Sequence, residues 1–454
     1  MNQPAELSAA ARYLILAAAF LGWMFSGVQM TITNLASGSA TADFATRGRL
    51  PLNQMLDWRN LLVVSGEPTA AAIDPTNKPA LESILKQQRP KWYSFYNAAF
   101  LFGAALGGLV FGWLGDRVGR VKAMGASILW YSVYAGLAYG SATAEQLLLL
   151  RFLSGMGVGG MWPTGVSLAA EAWSDVSRPT LSGLLGTAAN VGIVLMSAIA
   201  YFVPLTPDGW RWIMLVGASP AVLGLVVLAI VPESPAWLAA RNRPASEKPA
   251  DSIATLFSPP LLKLTLIGIA IGTIPLLGGW GVTNWFIAWT EKVNGSGDYQ
   301  ARALASIMRA SGGAIGSLLG GWIANLVGRR ATYFVIALAS FAISEFVYLR
   351  MDPTMGGFFW AVFAVGGVST IFFGWLPLYL PELFPTHARA TGAGISFNFG
   401  RILTAVGVLA TGALTAYFNE NYQRAGAVMS LIYATGMIVI LFAPDTTGRK
   451  LRES

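Results

Sequence analysis

Long apolar runs separated by short polar connectors dominate the pattern of this sequence. Each run is close to the ~20 residues that an α-helix needs to cross the hydrocarbon core of a bilayer. The first run is too long for the hydrophobic region of a secretory signal, so it is interpreted as a helix as well. The pattern predicts an all-α membrane protein with twelve transmembrane helices, over residues 11–36, 93–114, 123–143, 146–170, 181–203, 212–231, 261–290, 301–324, 331–350, 355–379, 390–417 and 425–443.

The composition agrees with this class, because 54% of the residues are hydrophobic and only 11% are charged, whereas soluble domains carry about 25% charged residues. The net charge of +8 comes from short connectors and not from a polar patch, which argues against a nucleic-acid partner. With no cysteine and one histidine, neither a disulfide, a metal site nor another cofactor is expected. The sequence has no nucleophile–base constellation and no phosphate-binding P-loop, so an enzyme or an ATP-driven pump is not expected.

Basic residues indicate the orientation of the chain. Arg117 and Arg120 follow the second span, and Arg329 and Arg330 follow the eighth, on the same side of the membrane if the spans alternate. The positive-inside rule makes that side the cytoplasm. Both termini are therefore expected there, with a bacterial inner membrane as the simplest location.

Residues 37–92 would then form a long external loop. Its segments 53–64 and 79–88 are predicted to be short amphipathic helices. We favour a cap that packs over the outer mouth, and a lid or a partner-binding site is the alternative.

A motif between the second and third spans recurs in the second part of the chain, and so does a motif after the fourth span. The two motifs recur at separations of 209 residues (116 to 325) and 211 residues (171 to 382). We therefore predict two equivalent six-helix halves, at 1–235 and 258–454, joined by a cytoplasmic linker at 236–257. The matched positions are Gly112 with Gly321, Asp116 with Asn325, Gly119 with Gly328, Arg120 with Arg329, Glu171 with Glu382, Arg178 with Arg389 and Gly183 with Gly394.

At these motifs the chain resembles the major facilitator superfamily. "GWLGDRVGR" from Gly112 is similar to the loop motif of that family, and "RFLSGMGVGG" from Arg151 is similar to its fourth-helix motif. "PESPAWL" from Pro232 and "PELFPTHARATGAG" from Pro381 are similar to the branch of sugar porters, sialate and aromatic-acid symporters, and organic-ion and synaptic-vesicle relatives. The resemblance implies the major facilitator fold, with two pseudo-symmetric bundles and alternating access.

Charged residues of these loops are predicted to form a gate that locks the cytoplasmic ends of the two halves in one conformation only. Arginine–carboxylate pairs suit this role because their hydrogen bonds are charge-assisted. The predicted gating and salt-bridge residues of the loops are Asp116, Arg117, Arg120, Glu171, Arg178, Glu233, Asn325, Arg329, Arg330, Glu382 and Arg389. Arg151, near the outer end of the fourth span, is predicted to have a structural or gating role as well.

Two positions depart from the family pattern. Asn325 replaces the usual acidic residue of the second loop, which would weaken the lock on that half. Gln29 stands where proton-coupled members often carry a carboxylate beside the fourth-helix arginine, here Arg151. Because glutamine cannot titrate, proton symport is a hypothesis. Glu291 and Glu345, the other candidates for a proton site, are expected to be solvated charges near helix ends.

Arg309 lies inside the eighth span and is expected to contact an anionic cargo group, because a desolvated guanidinium suits a carboxylate. The alternatives are snorkelling to the outer interface or pairing with Glu291. Amides and tryptophans inside spans are further candidates, and three glycines (278, 279 and 281) are expected to weaken the seventh helix beside Asn284. The predicted substrate-binding residues are Gln29, Trp162, Asn190, Trp280, Asn284, Trp285, Arg309, Trp375 and Asn398.

These features predict a monomeric secondary transporter in the lipid bilayer that moves a small organic solute by alternating access. An organic anion, such as a sugar acid or another carboxylate, is favoured by the arginines inside the spans. A neutral sugar porter, working by symport or facilitated diffusion, is the first alternative. A non-transporting receptor with the same fold is the second alternative, and the direction of transport is open.

Overall fold

The computed structural model is all-α over the residues that it describes, which are 7–51, 76–173, 178–241, 253–259, 261–294, 299–385 and 388–447. Twelve helical spans follow one another within these described residues, as the sequence predicts. Ten of them are apolar enough to cross a membrane by length and mean hydropathy alone. The helices Arg120–Ala138 and Ala144–Ala172, with many glycine or polar residues, complete the set.

Most spans are single helices, but the sixth consists of α6 and α7, and the seventh consists of α10, a π-helical turn and α11. The short helices α8 and α9 belong to the connection between the halves. In chain order the elements are α1 (Ala9–Thr46), α2 (Lys78–Val118), α3 (Arg120–Ala138), α4 (Ala144–Ala172), α5 (Arg178–Phe202), α6 (Trp212–Ala218), α7 (Ala221–Ile230), α8 (Pro235–Arg241), α9 (Ile253–Leu256), α10 (Leu262–Leu277), the π-helical turn (Gly278–Thr283), α11 (Trp285–Asn294), α12 (Tyr299–Val327), α13 (Arg329–Arg350), α14 (Phe358–Glu382), α15 (Arg389–Tyr417) and α16 (Tyr422–Phe442).

The two six-helix halves repeat the same packing. Helix α2 packs on α4 as α12 packs on α14, and α1 packs on α5 as α10 packs on α15. The halves meet mainly where α2 lies against α15 and α5 lies against α12. Both predicted bundles are therefore present, and the exact boundaries 1–235, 236–257 and 258–454 stay a prediction.

The loop predicted at 37–92 is shorter than expected. Helix α1 continues to Thr46, and α2 begins at Lys78, so the segment 79–88 is helical but forms the first turns of a spanning helix. The extension of α1 is stable because its buried Asp43 accepts hydrogen bonds from Arg211 Nη1 at 2.5 Å and Trp210 Nε1 at 3.1 Å. Hydropathy alone does not register such pairing. The segment 53–64 lies outside the described residues.

Two spans are interrupted. The sixth breaks at Ser219 and Pro220, because proline lacks the N–H that would continue the helical ladder. The glycine-rich stretch of the seventh span does not unwind; it widens into a π-helical turn in which the Asn284 N–H donates to the Gly279 carbonyl at 3.0 Å. Such turns are frequent at functional sites.

Candidate functional site

A cavity of about 370 Å³ lies between the two halves, within the size range of small-molecule sites. Its wall is formed by α1, α2, α4 and α5 of the first half and by α10, the π-helical turn, α12, α14 and α15 of the second half. It extends towards the end of the bundle that carries the α2–α3 and α12–α13 connections, which is called the loop end below. The opposite end is called the closed end.

Six of the nine predicted substrate-binding residues line this cavity. No aspartate or glutamate is among the described residues that line it. The six are Trp162, Asn190, Trp280, Asn284, Arg309 and Asn398. Whether they contact cargo stays a prediction.

Arg309 lies on the wall of this cavity, and its side chain is 7% exposed. Its guanidinium has no hydrogen bond or ion pair with any other residue in the described part of the chain, and its buried Nε lacks a partner. The expected alternative of a pair with Glu291 is wrong, since Glu291 binds Arg302 instead, with Oε1 at 3.2 Å from Nη1. Glu291 is buried, whereas the sequence predicts a solvated charge. Among the described residues, Arg309 therefore has no counter-charge.

Aromatic rings form the middle of the cavity wall. The Trp280 ring lies 5.9 Å from Phe100, and the Trp23 ring lies 4.7 Å from Trp162, between ring centroids. The rings of these pairs are buried or half-buried, and their faces can contact a flat or ring-shaped solute.

Most polar side chains of the wall already have partners. Asn190 donates to Ser317 Oγ at 3.1 Å, and Asn398 donates to the Gly394 carbonyl at 3.0 Å. Arg401, which the sequence reasoning missed, donates to Asn398 Oδ1 at 3.3 Å and to the Ala104 carbonyl at 3.2 Å. The signal for Arg401 was available, because it is an ionisable residue inside the predicted span 390–417.

Three predicted substrate-binding residues do not line the cavity. Trp285 packs against Tyr93 and Tyr422 in the core of the second half. Trp375 is fully buried, and its Nε1 donates to the Arg329 carbonyl at 3.0 Å. Gln29 is fully buried and is held by Arg151. Other protein groups cover these three side chains in the described conformation.

Gln29 and Arg151 form a fully hydrogen-bonded polar cluster inside the first half. Arg151 Nη2 donates to the Gln29 carbonyl at 2.7 Å, and Arg151 Nε donates to Thr33 Oγ1 at 3.1 Å. The Gln29 amide donates to the Gly217 carbonyl at 2.6 Å and accepts from Ser154 Oγ at 3.2 Å. Arg151 therefore has a neutral partner at the position where proton-coupled family members often carry a carboxylate. Its hydrogen bonds join helices of one half.

The closed end is sealed by contacts between the halves. The Tyr93 hydroxyl on α2 lies 2.9 Å from Asn34 Oδ1 and donates to the Asn284 carbonyl at 3.2 Å. Gly38 on α1 approaches Glu291 so closely that a Cβ at residue 38 would lie 2.0 Å from Oε1.

Further along this end, Ser197 Oγ on α5 and Ser306 Oγ on α12 are 2.7 Å apart. In the described part of the chain, these contacts bring the two halves together at the closed end. The described conformation therefore extends its cavity only towards the loop end.

At the loop end, the first half holds a charged cluster. Arg120 lies 2.5 Å from Asp116 and 3.5 Å from Glu171, and Glu171 also accepts from Ser234. Among the described residues, Glu233 does not form the arginine pair that the sequence predicts. Its carboxylate accepts from the Val121 N–H at 3.1 Å, where it caps the N-terminus of α3.

The second half repeats this cluster. Arg329 binds Glu382 with two hydrogen bonds of 3.0 and 3.1 Å and donates to Asn325 Oδ1 at 2.8 Å. Asn325 thus still contacts the arginine, but as a neutral acceptor. Thr446 donates to the same carboxylate at 2.5 Å.

The glycines of the two loops are also equivalent. Gly119 has a φ of 120° and Gly328 has a φ of 97°, in the region that other residues rarely adopt. The repeated motif therefore encodes a repeated backbone turn.

The expected lock between the halves is not formed by these residues in this conformation, because each cluster joins helices of one half. Arg117 lies over the Trp113 ring at 4.4 Å, and Arg330 donates to the Leu441 carbonyl at 2.7 Å. The side chains of Arg178 and Arg389 lie outside the described part of the structure.

Comparisons with known proteins point in one direction. A family model described as the Major Facilitator Superfamily matches residues 79–408. A putative niacin/nicotinamide transporter of Bacillus subtilis is 28% identical over 339 residues, which are 73% of this chain and 80% of that protein. A cis,cis-muconate transport protein of Acinetobacter baylyi is 27% identical over 325 residues, 70% of this chain and 76% of that protein.

Among solved structures, the inward open xylose transporter of E. coli is similar with a TM-score of 0.66 and 16% identity, covering 97% of this chain and 98% of that one. At this identity the similarity shows the fold alone.

Proposed function

Because the chain belongs to the major facilitator superfamily and is an integral multi-pass secondary transporter, we propose that its cargo is a small organic anion with at least one carboxylate. Sugar acids and ring-shaped or unsaturated acids are the favoured classes. The carrier would expose the central cavity to one side of the membrane at a time, and the loop end would be the cytoplasmic one.

The unpaired guanidinium of Arg309 carries this proposal. A charge inside a membrane span is costly unless it has a partner or faces a water-filled cavity. Arg309 has no partner among the described residues, and it lines a cavity without carboxylates. A cargo carboxylate would supply both the counter-charge and two acceptor oxygens for the planar fork.

The aromatic wall supports a ring or a conjugated chain next to that carboxylate. Trp280, Phe100, Trp23 and Trp162 offer flat apolar faces, which suit planar cargo through stacking. Two relatives are named for niacin/nicotinamide and for cis,cis-muconate transport, and such names agree with an acidic cargo for this chain.

A neutral sugar is the second candidate, because the solved structure of similar fold is a xylose transporter. It is less favoured, since a sugar has no charge to balance Arg309. A monomeric carrier in a bacterial inner membrane, with both termini in the cytoplasm, remains part of the proposal. Proton symport also belongs to it, as the hypothesis that the assay below tests.

The experiment is exchange of labelled cargo by the purified protein in liposomes, with a panel of neutral sugars, sugar acids, aromatic acids and muconates. We expect saturable counterflow of at least one carboxylate, and repeating the uptake with and without a proton gradient tests coupling. Arg309→Gln should weaken carboxylate binding about 10- to 150-fold, the value of a charged hydrogen bond of about 1.5–3 kcal/mol. Arg350→Gln, at the exposed end of α13, is the control and should bind as the wild type does.

Three results would contradict the proposal. Counterflow of sugars alone would favour the neutral porter, and unchanged carboxylate affinity in Arg309→Gln would remove the role of this arginine. Binding without any counterflow would favour a receptor.

A further inference from the structure

A buried ion pair at the closed end, Glu291 with Arg302, lies apart from the cargo site, because neither residue lines the cavity. Glu291 is on α11 and Arg302 is on α12, with Oε1 of the first 3.2 Å from Nη1 of the second. The Arg302 side chain is 1% exposed and that of Glu291 is 12% exposed. Taking two charges out of water is costly, and attraction between them repays this cost only when hydrogen bonds complete the pair.

The hydrogen bonds of this pair are incomplete. Among the described residues, Nε, Nη1 and Nη2 of Arg302 and Oε1 of Glu291 have no hydrogen-bond partner, although Nη1 and Oε1 are close to each other. The pair of Arg329 and Glu382 at the loop end differs, since two hydrogen bonds of 3.0 and 3.1 Å join it and Thr446 donates a third to its carboxylate. The attraction between Glu291 and Arg302 therefore offsets less of the cost of their burial.

The first half of the protein covers this pair. A Cβ at Gly38 of α1 would lie 2.7 Å from Oε2 of the carboxylate and still closer to Oε1, so the backbone of α1 lies directly against it. Ala303, next to Arg302, is fully buried in an apolar cluster whose other buried members belong to the first half. One turn along α12 from Arg302, Ser306 contacts Ser197 of the first half. The burial of the pair thus depends on the contact between the halves, and separation of the halves admits water to it.

We propose that the Glu291–Arg302 pair is a conformational device that favours opening of the closed end. Both charges are out of water in the described conformation, and both regain hydration when the halves separate. Because the cost acts on one conformation only, it shifts the equilibrium towards the other. The pair therefore acts in the opposite sense to a clasp, and it allows the empty carrier to reopen a seal that apolar and hydrogen-bonded contacts hold. This role does not depend on which cargo the cavity binds.

The test compares how fast a reporter thiol at the closed end is labelled. Ser94→Cys introduces a single cysteine into a chain that has none, at a buried site where α2 lies against Gly412 of α15. A membrane-impermeant maleimide reacts there only after opening. In this background, Glu291→Met/Arg302→Met replaces both charges by apolar side chains of similar volume. The labelling rate should fall at least about 5-fold, the lower end of the stabilisation that such replacements give.

The single variants should have the opposite effect, because each leaves one buried charge without its partner. Glu291→Met alone and Arg302→Met alone should therefore both raise the labelling rate. Lys292→Met is the matched control, since it removes the neighbouring charge, which is 40% exposed in the described conformation. It should leave the rate within about twofold of the reporter protein, because exposed charges contribute little.

A higher labelling rate in the double variant would mean that the pair is a clasp that holds the closed end shut, and an unchanged rate would mean that the pair is neutral. Either result overturns the inference. Glu291→Gln/Arg302→Gln removes the same charges with polar side chains and should also lower the rate, so the question is decided even if the methionine variant does not fold. Carboxylate counterflow and its dependence on Arg309 are measured separately, so the proposed function can fail while this inference holds, and the reverse.

Discussion

Gly38 allows the sharpest test of the closed end. A methyl group at this position would lie 2.0 Å from Glu291 Oε1 across the contact between the halves, whereas ordinary carbon–oxygen contacts begin well above 3 Å. Gly38→Ala is therefore accommodated only if the Glu291 carboxylate leaves its position beside Arg302 or α1 moves away from α11. The clash exists only while the closed end is closed, because Gly38 and Glu291 belong to different halves, which separate when this end opens.

The size of the effect follows from this difference between conformations. Inserting a methyl group into a packed contact costs about 1–3 kcal/mol. A penalty that acts on one conformation shifts the equilibrium between the two conformations by the same free energy. This corresponds to a change of about 5- to 150-fold in the ratio of their populations. In the variant, the ratio of the conformation in which this closed end has opened to the described conformation should rise by this factor.

The absence of cysteine in the chain provides a direct assay. Ser197→Cys places one thiol in the contact with Ser306 at the closed end, where a membrane-impermeant maleimide reacts only after opening. The labelling rate should rise about 5- to 150-fold when Gly38→Ala is added to this background. Gly112→Ala, with no atom within 4 Å of the added methyl group, should leave the rate unchanged. Equal rates in all three proteins would refute the argument from close approach.

Two further predictions concern the loops and the coupling ion. Gly119→Ala should lower thermal stability more than Gly328→Ala in detergent melts. Both residues have positive φ, but a Cβ at 119 would lie 2.2 Å from Glu233 and one at 328 would lie 3.1 Å from its nearest neighbour; equal losses would contradict this reasoning. If transport is proton-coupled, Glu291→Gln should abolish gradient-driven uptake and retain counterflow, because Glu291 is a buried carboxylate at the contact between the halves. Gradient-driven uptake that survives this change would assign coupling to another group.

Much of the fold could be predicted because its signals are local. Apolar runs of the right length gave the twelve spans, and the repeated spacing predicted that Gly119 and Gly328 occupy equivalent turns, as their φ angles confirm. The ends of the helices were less predictable. The continuation of α1 beyond residue 36 depends on the pairing of Asp43 with Arg211, which lies far away in the sequence.

The site was predicted in part for the same reason. An arginine within an apolar run is conspicuous in the sequence, so Arg309 could be predicted as a candidate residue of the cavity. The same signal is present at Arg401, which also lines the cavity. A tryptophan or an amide within a span can face a cavity or a neighbouring helix, and only packing decides between them. Trp280 faces the cavity and Trp375 faces the core, yet both interrupt similar apolar sequences.

The unpaired charge of Arg309 has an electrical consequence. An empty carrier moves this positive charge through part of the transmembrane field when it changes conformation, and a full crossing by one charge corresponds to about 2.3 kcal/mol per 100 mV. If the cargo is the proposed carboxylate, its binding would neutralise this charge. The membrane voltage would then act mainly on the return of the unloaded protein, so that the cell's resting potential would set the resting orientation of the carrier rather than the speed of its loaded step.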